Sequence, residues 1–475
     1  MPKVYHNHLS LFDILYKYFS FLEAYMNEKI RRTTTKDMTD GNIVRQLIMF
    51  ALPLMFGNIF QMLYNTVDSI VVGNFVGTEA LAAVGSTTMI TNMAVFFFNG
   101  FSVGAGVIIG RYFGAKDLKR LHIAVETTMA ATFFFCVLFT IVFIAGVGPM
   151  LRFMDTPEDV FGEATTYLTI YFAGISGLLI YNMGSGILRA VGDTRRPLFF
   201  LVLTSFLNIV LDLLFVPGFH MGIEGVAYAT IISQFISAIL TLLLLTRSDD
   251  IYRLTWHDLK IDLPTLGKIF AVGLPAAIQS VITAFSNVFV QSYVNYFGSV
   301  CMAGWSCYNK LDQFILLPMN SMAMASTTFV SQNIGAGKVK RSNDGTKLSV
   351  LISVGITFVI ASLIWVFSSA ATRLFTADEN VIEFGSMFIR MNVFFMMFNC
   401  VNHVLAGALR GRGDSTGPMF IMLASFVALR QIYLFVVTHF VANTPTLVGF
   451  GYPVGWMSCC VLEVAYFLIR WNRKK

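Results

Sequence analysis

Apolar residues run through this chain in twelve long stretches between Arg45 and Trp471, each separated from the next by a short polar connection. The stretches centre near 47 to 73, 81 to 110, 121 to 146, 160 to 187, 197 to 216, 222 to 246, 267 to 295, 301 to 332, 348 to 370, 381 to 408, 418 to 440 and 447 to 470. A helix needs about 20 mostly apolar residues to cross the hydrocarbon core of a bilayer. The pattern therefore predicts an all-α polytopic membrane protein with twelve transmembrane helices. The longest connection, from Arg247 to Thr265, carries Asp249, Asp250, Arg253, Trp256, His257, Asp258 and Lys260 and reads as a solvated linker or surface helix.

Charge fixes the expected orientation. With the N-terminus placed in the cytoplasm, 25 Lys and Arg residues fall on that side, against only Arg152 and Arg373 on the other. The outer connections instead carry Asp155, Glu158, Asp159, Asp378 and Glu379. Basic connections stay in the cytoplasm, so both termini are expected there. Residues 1–40 read as an N-terminal cytoplasmic leader. Within it Leu9, Leu11, Phe12, Leu15, Phe19 and Leu22 form a loosely amphipathic stretch that suits either an interfacial helix or an unordered leader.

Composition narrows the class further. Of 475 residues, 56% are hydrophobic and 13% charged, where a soluble domain carries roughly a quarter. Too few charges remain to form a solvated shell, and 46 Phe exclude a disordered chain. The net charge of +6 is spread along the chain and forms no patch for a nucleic acid. Cys136, Cys301, Cys307, Cys400, Cys459 and Cys460 show no metal-ligand spacing and read as buried thiols. Gly100 to Gly104 fits the GxSxG nucleophile pattern, but it lies inside a long apolar run and reads as small-residue helix packing. No nucleophile–base pair or metal cluster sits at matched depth, so an enzyme is not expected.

The chain repeats itself. At an offset of 221 residues, Leu188, Arg189, Gly192, Asp193, Pro197 and Phe199 recur as Leu409, Arg410, Gly413, Asp414, Pro418 and Phe420. Gly114-Ala115 and Lys119-Arg120 recur as Gly335-Ala336 and Lys340-Arg341. At an offset of 222, Leu52-Pro53 falls on Leu274-Pro275 and Asn65 on Asn287. This predicts an N-lobe over 41–246, a linker over 247–265 and a C-lobe over 266–475. Six spans per copy make both copies enter from the same side, with a repeat axis along the membrane normal. The LRxxGD and LRGxGD blocks at the inner helix ends read as turns and caps.

Several segments resemble the multidrug and toxic compound extrusion (MATE) family of transporters. They are Ala51 to Pro53 with Tyr64 to Asp68, Leu188 to Asp193, Asn208 to Asp212, Gly225 to Thr230, Gln332 to Ala336 and Leu409 to Asp414. The resemblance spans from Asp37 to the C-terminus. It implies a V-shaped pair of six-helix lobes in the plasma membrane of a bacterium, exporting organic, often cationic compounds against inward H⁺ or Na⁺ by alternating access. It also implies a cation site formed by Asp68, Asn208, Asp212 and Thr230, which would be the metal ligands if Na⁺ is the coupling ion. The C-lobe acids of another branch correspond here to Thr283 and Asn399, so a mechanism that needs those carboxylates is not expected. A monomer is expected, with the lipid bilayer and small lipophilic or cationic molecules as partners and no cofactor beyond the coupling ion. A lipid or lipid-linked oligosaccharide flippase of the same architecture is the competing reading, and it would need a more cationic cavity.

The residues support the same site on physical grounds. An ionised carboxylate inside a bilayer costs at least about 2.5 kcal/mol and so marks function. Asn208 and Asp212 stand one turn apart on one helix face. Counting about 1.5 Å per residue, Asp68, Asn208, Asp212 and Thr230 all lie in the outer half of the N-lobe. The bland alternative is that these polar groups only hold helices together. In the C-lobe, Leu429 and Tyr433 occupy the slots of Asn208 and Asp212. Asp312, Arg390 and Arg430 lie at similar depth and are expected to form one ion-pair network, which reads as structural rather than as a substrate or proton relay. His403, low on the tenth span near Asn399, is expected to be a hydrogen-bonded structural histidine.

Overall fold

The computed structural model describes residues 35–472 and is almost wholly helical. The amphipathic leader stretch lies outside the described residues. Eleven helices are long and apolar enough to cross a bilayer among the described residues, and a bent pair makes a twelfth span. In the N-lobe these are α1 (Ile43–Val76), α2 (Thr78–Gly114), α3 (Leu118–Phe153), α4 (Glu158–Ala173 with Ile175–Ala190), α5 (Arg195–Gly218) and α6 (Ile223–Arg247). The C-lobe has α7 (Leu263–Asn295), α8 (Ser299–Gly335), α9 (Val339–Val366), α10 (Glu379–Gly411), α11 (Thr416–Val441) and α12 (Pro445–Arg470). The chain is thus a multi-pass membrane protein. Among the described residues, α4 is the span broken by a sharp bend, turning by 47° at Gly174. Gly174 is pressed against Ile231 of α6, and a residue without Cβ is what lets the two helices approach there.

Polar residues in the connections start and stop these helices. Asn42, Asp117 and Asp262 accept from the backbone N–H three residues on, at 3.0, 3.1 and 2.9 Å, and so cap α1, α3 and α7. The two LR–GD blocks close α4 and α10 in the same way. Gly192 (φ +86°) and Gly413 (φ +82°) take the left-handed conformation. Asp193 and Asp414 then donate their backbone N–H back to Leu188 and Leu409, both at 2.9 Å. These are the bonds of a Schellman turn, which fixes the reading of these blocks as caps.

The linker differs from the solvated segment expected of it. Ser248, Tyr252 and Leu254 are buried. Arg196 donates to the Tyr252 hydroxyl at 2.7 Å, Tyr252 donates to Asp250 at 2.9 Å, and Arg196 forms ion pairs with Asp193 and Asp250. Burial pushes the Tyr252 hydroxyl well above the usual phenol range. Tyr252 and Leu254 join the N-lobe core, with Ile251 and Leu259 packed beside them, and Trp256 stacks on Phe133 at 5.8 Å.

The two lobes meet at the end rich in Lys and Arg. Leu47, Phe50 and Ala51 of α1 share a core with Met322, Ala325 and Phe329 of α8. Gly100 and Gly104 of α2 lie against Ala277 and Gly273 of α7, so the GxSxG match is helix packing. Gly114 meets the backbone of Gln332, and Gly335 meets the backbone of Arg111. A Cβ at either position would overlap main-chain atoms. Gln332 locks the seam by accepting from Met38 N–H at 2.9 Å and donating to Ala190 C=O at 2.8 Å. Asn58, about midway along α1, donates across the same seam to Ser321 at 3.5 Å.

Candidate ion-binding site

In the N-lobe the register of α5 against α6 sets the site. Ser237 donates to Thr204 at 2.7 Å, tying the antiparallel helices together. One turn further toward the acidic end, Asn208 comes level with Ser233, and the next turn brings Asp212 level with Thr230. Leu207 and Leu211 pack on Ala229 beside them. Asp212 is fully buried, Asn208 is 2% exposed and Thr230 8%. From α1, half-buried Asp68 neighbours Asp212 of α5, so two acids from two helices stand together in the outer part of the N-lobe. Tyr64, Tyr167 and Tyr171 wall the pair, with Tyr167 and Tyr171 stacked at 6.2 Å.

Local helix geometry changes beside both acids. A π-helical turn, Val72–Val76, follows Asp68, and another, Leu214–Gly218, follows Asp212. Such turns insert a residue into the helix and occur frequently at functional sites. They face each other at the acidic end, where α1 and α5 can repack without breaking the rest of either helix.

The polar atoms here are left open by the protein. One oxygen of Asp68, both of Asp212, the amide of Asn208 and the hydroxyls of Thr230, Ser205 and Ser233 have no hydrogen-bond partner among the described residues. Unpaired buried polar groups each cost about 1–3 kcal/mol, so a cluster of this size fits an exogenous ligand. The donor set is two carboxylates, an amide oxygen and hydroxyls. Hard oxygen ligands of that kind suit Na⁺ or a shared proton. Ser205, Ser233 and Gln234 were not singled out from the sequence. The signal was present, because Thr230, Ser233, Gln234, Ser237 and Thr241 recur at helical spacing along an otherwise apolar run.

The C-lobe corrects the expected network. Asp312, Arg390 and Arg430 form no ion pair with one another among the described residues. Arg390 is exposed and donates to Ser368 at 2.8 Å. Asp312 accepts from Tyr308 at 3.5 Å, and buried Arg430 donates to Phe426, Ser286 and Asn287. Equal depth placed these residues in one layer, but they point from three different helices into separate surroundings. Asn399 is buried on α10. His403 makes no hydrogen bond with any described residue, contrary to the histidine expected there. Glu463, fully buried on α12, also lacks a hydrogen-bond partner among the described residues.

Comparison with known proteins places this geometry. The MatE family profile matches residues 53–214 and again 275–436, two segments shifted by the repeat spacing. The probable multidrug resistance protein YpnP of Bacillus subtilis is 32% identical over 455 residues, which covers 92% of this chain and 98% of the relative. The probable multidrug resistance protein NorM of Thermotoga maritima is 27% identical over 408 residues, 84% of this chain and 86% of its own. Among solved structures, an outward-facing multidrug resistance MATE family transporter superposes with a TM-score of 0.87 at 23% identity, over 94% of this chain and 100% of that one.

Proposed function

The chain belongs to the MatE family, and from that membership and the open acid pair we propose that it is a secondary multidrug exporter. It moves organic, often cationic compounds out of the cell in exchange for inward H⁺ or Na⁺. The basic end is cytoplasmic, by the distribution of Lys and Arg, and the seam of α1 and α2 against α7 and α8 is then an inner gate in its closed state. The names of YpnP and NorM support drug efflux for those relatives, and their similarity carries it here.

One observation carries the coupling assignment: the buried, unpartnered oxygens of Asp68 and Asp212 face each other across two helices. A cation entering from the outside would bridge them. Its differential affinity for the two arrangements of α1 and α5 is what can bias the lobes between outward and inward states. Drug and ion need not share a site; they need only favour opposite states. The single fixed site in one lobe fits a carrier better than a channel. It also fits a drug exporter better than a flippase, since Arg430 is the one fully buried C-lobe arginine near mid-span among the described residues.

The test is ethidium efflux from proteoliposomes holding the full chain, with Na⁺ and pH gradients imposed separately. At least one gradient is expected to drive efflux at a rate well above that of protein-free vesicles. Failure of both gradients with a folded protein would remove the exporter reading.

A further inference from the structure

We propose that the C-lobe holds a second binding site, built at Arg430 and Asn287, that takes the carboxylate of a transported aromatic compound. The proposal rests on the exporter reading and names a substrate class for it.

Arg430 is 1% exposed and stands 11 residues before the end of α11, about 16 Å deep by helix rise. A buried guanidinium normally holds a carboxylate. Here it has none among the described residues. Its Nε donates to Phe426 C=O at 3.2 Å, and its Nη2 donates to the Ser286 hydroxyl and to Asn287 Oδ1, the latter at 3.2 Å. All three acceptors are neutral, and Nη1 meets no acceptor among the described residues. Asp312 does not supply the missing charge, because Tyr308 and Tyr452, with ring centroids 6.3 Å apart, stand between the two.

The guanidinium is also held in place. It lies over the rings of Phe426 at 5.3 Å and Tyr452 at 5.1 Å, and the π-helical turn Leu423–Leu429 leads directly into it. A planar donor fork fixed in this way is suited to a planar oxyanion. Access runs past Asn287. On α7, Ser286, Val290 and Val294 face the C-lobe core, whereas Gly273 and Ala277 face the N-lobe. Exposed Asn287 lies on the flank between those faces, so the side chain that accepts from Nη2 is also the one that separates the guanidinium from the cleft between the lobes. A lipid headgroup sits at the membrane surface, well short of this depth. A small molecule in the cleft can reach it.

The site can be read with norfloxacin, its ethyl ester and ethidium, each measured for binding and efflux in proteoliposomes of neutral phosphatidylcholine. Wild type should bind the acid at least about tenfold more tightly than the ester, and Arg430→Gln should erase that difference while leaving the ester and ethidium within about twofold. Asn287→Leu, at an exposed position, should weaken the acid by about threefold to tenfold with the fold intact, and decides the matter if Arg430→Gln does not fold. Equal binding of acid and ester by wild type, or equal loss of all three ligands in a folded Arg430→Gln, overturns the proposal. So does loss of the acid preference in phosphatidylglycerol vesicles, which would assign the site to a lipid phosphate. Failure of the exporter reading looks different, because wild type would then not move ethidium either.

Discussion

At the same turn of the same duplicated helix, the two lobes carry opposite charge. In the N-lobe, α5 presents Asn208 and Asp212 to an acid on α1; in the C-lobe, α11 has Leu429 and Tyr433 in those slots and Arg430 beside them. Asp212 and Arg430 are both buried, and a π-helical turn adjoins each. What the lobes share is the frame: the Schellman turns at Gly192 and Gly413, the glycines at Gly114 and Gly335, and the paired helices of the seam. Duplication has kept the parts that hold helices at fixed distances and has let the membrane-embedded polar residues diverge. On the proposed reading, the N-lobe would hold the coupling ion and the C-lobe a contact for the cargo.

If the frame is common to both lobes, damage to it should be symmetric. Gly114→Leu and Gly335→Leu each place a side chain into the other lobe's backbone, and each should lower ethidium efflux by about tenfold or more, measured in proteoliposomes at matched protein levels. An effect confined to one of the two would break the equivalence of the gate halves. The caps should show a graded difference. Asp193 sits in a buried set with Arg196, Asp250 and Tyr252, whereas Asp414 bonds Tyr466 at 2.7 Å and pairs with Arg470 at 3.2 Å in a partly exposed setting. Tyr252→Phe should therefore cost about 1–3 kcal/mol, and Tyr466→Phe about 1 kcal/mol or less, read from detergent-solubilised thermal unfolding. Equal losses would show that the linker does not brace the N-lobe.

Much of this was legible in the residues. The span count, the repeat and the cap roles of the LR–GD blocks follow from apolar run length, from identities at a fixed offset and from glycine followed by aspartate at a helix end. The convergence of Asp68 on Asp212 was legible as depth. Three features were not. The bend at Gly174 depends on contact with Ile231 of another helix. The linker's attachment depends on Tyr252 and Leu254, two residues whose burial no local charge count reveals. The supposed Asp312–Arg390–Arg430 network failed because depth fixes height in the membrane but not the azimuth of each side chain, and the tyrosines between Asp312 and Arg430 come from α8 and α12.

The central claim is that coupling belongs to the N-lobe acids alone. It is tested most directly by measuring H⁺ and Na⁺ counterflux per ethidium exported in two double variants, Asp68→Asn with Asp212→Asn, and Asp312→Asn with Glu463→Gln. The account predicts that the first loses gradient-driven counterflux and efflux by about a hundredfold while remaining folded, and that the second keeps wild-type stoichiometry. Retained coupling in the first variant, or its loss only in the second, would contradict it.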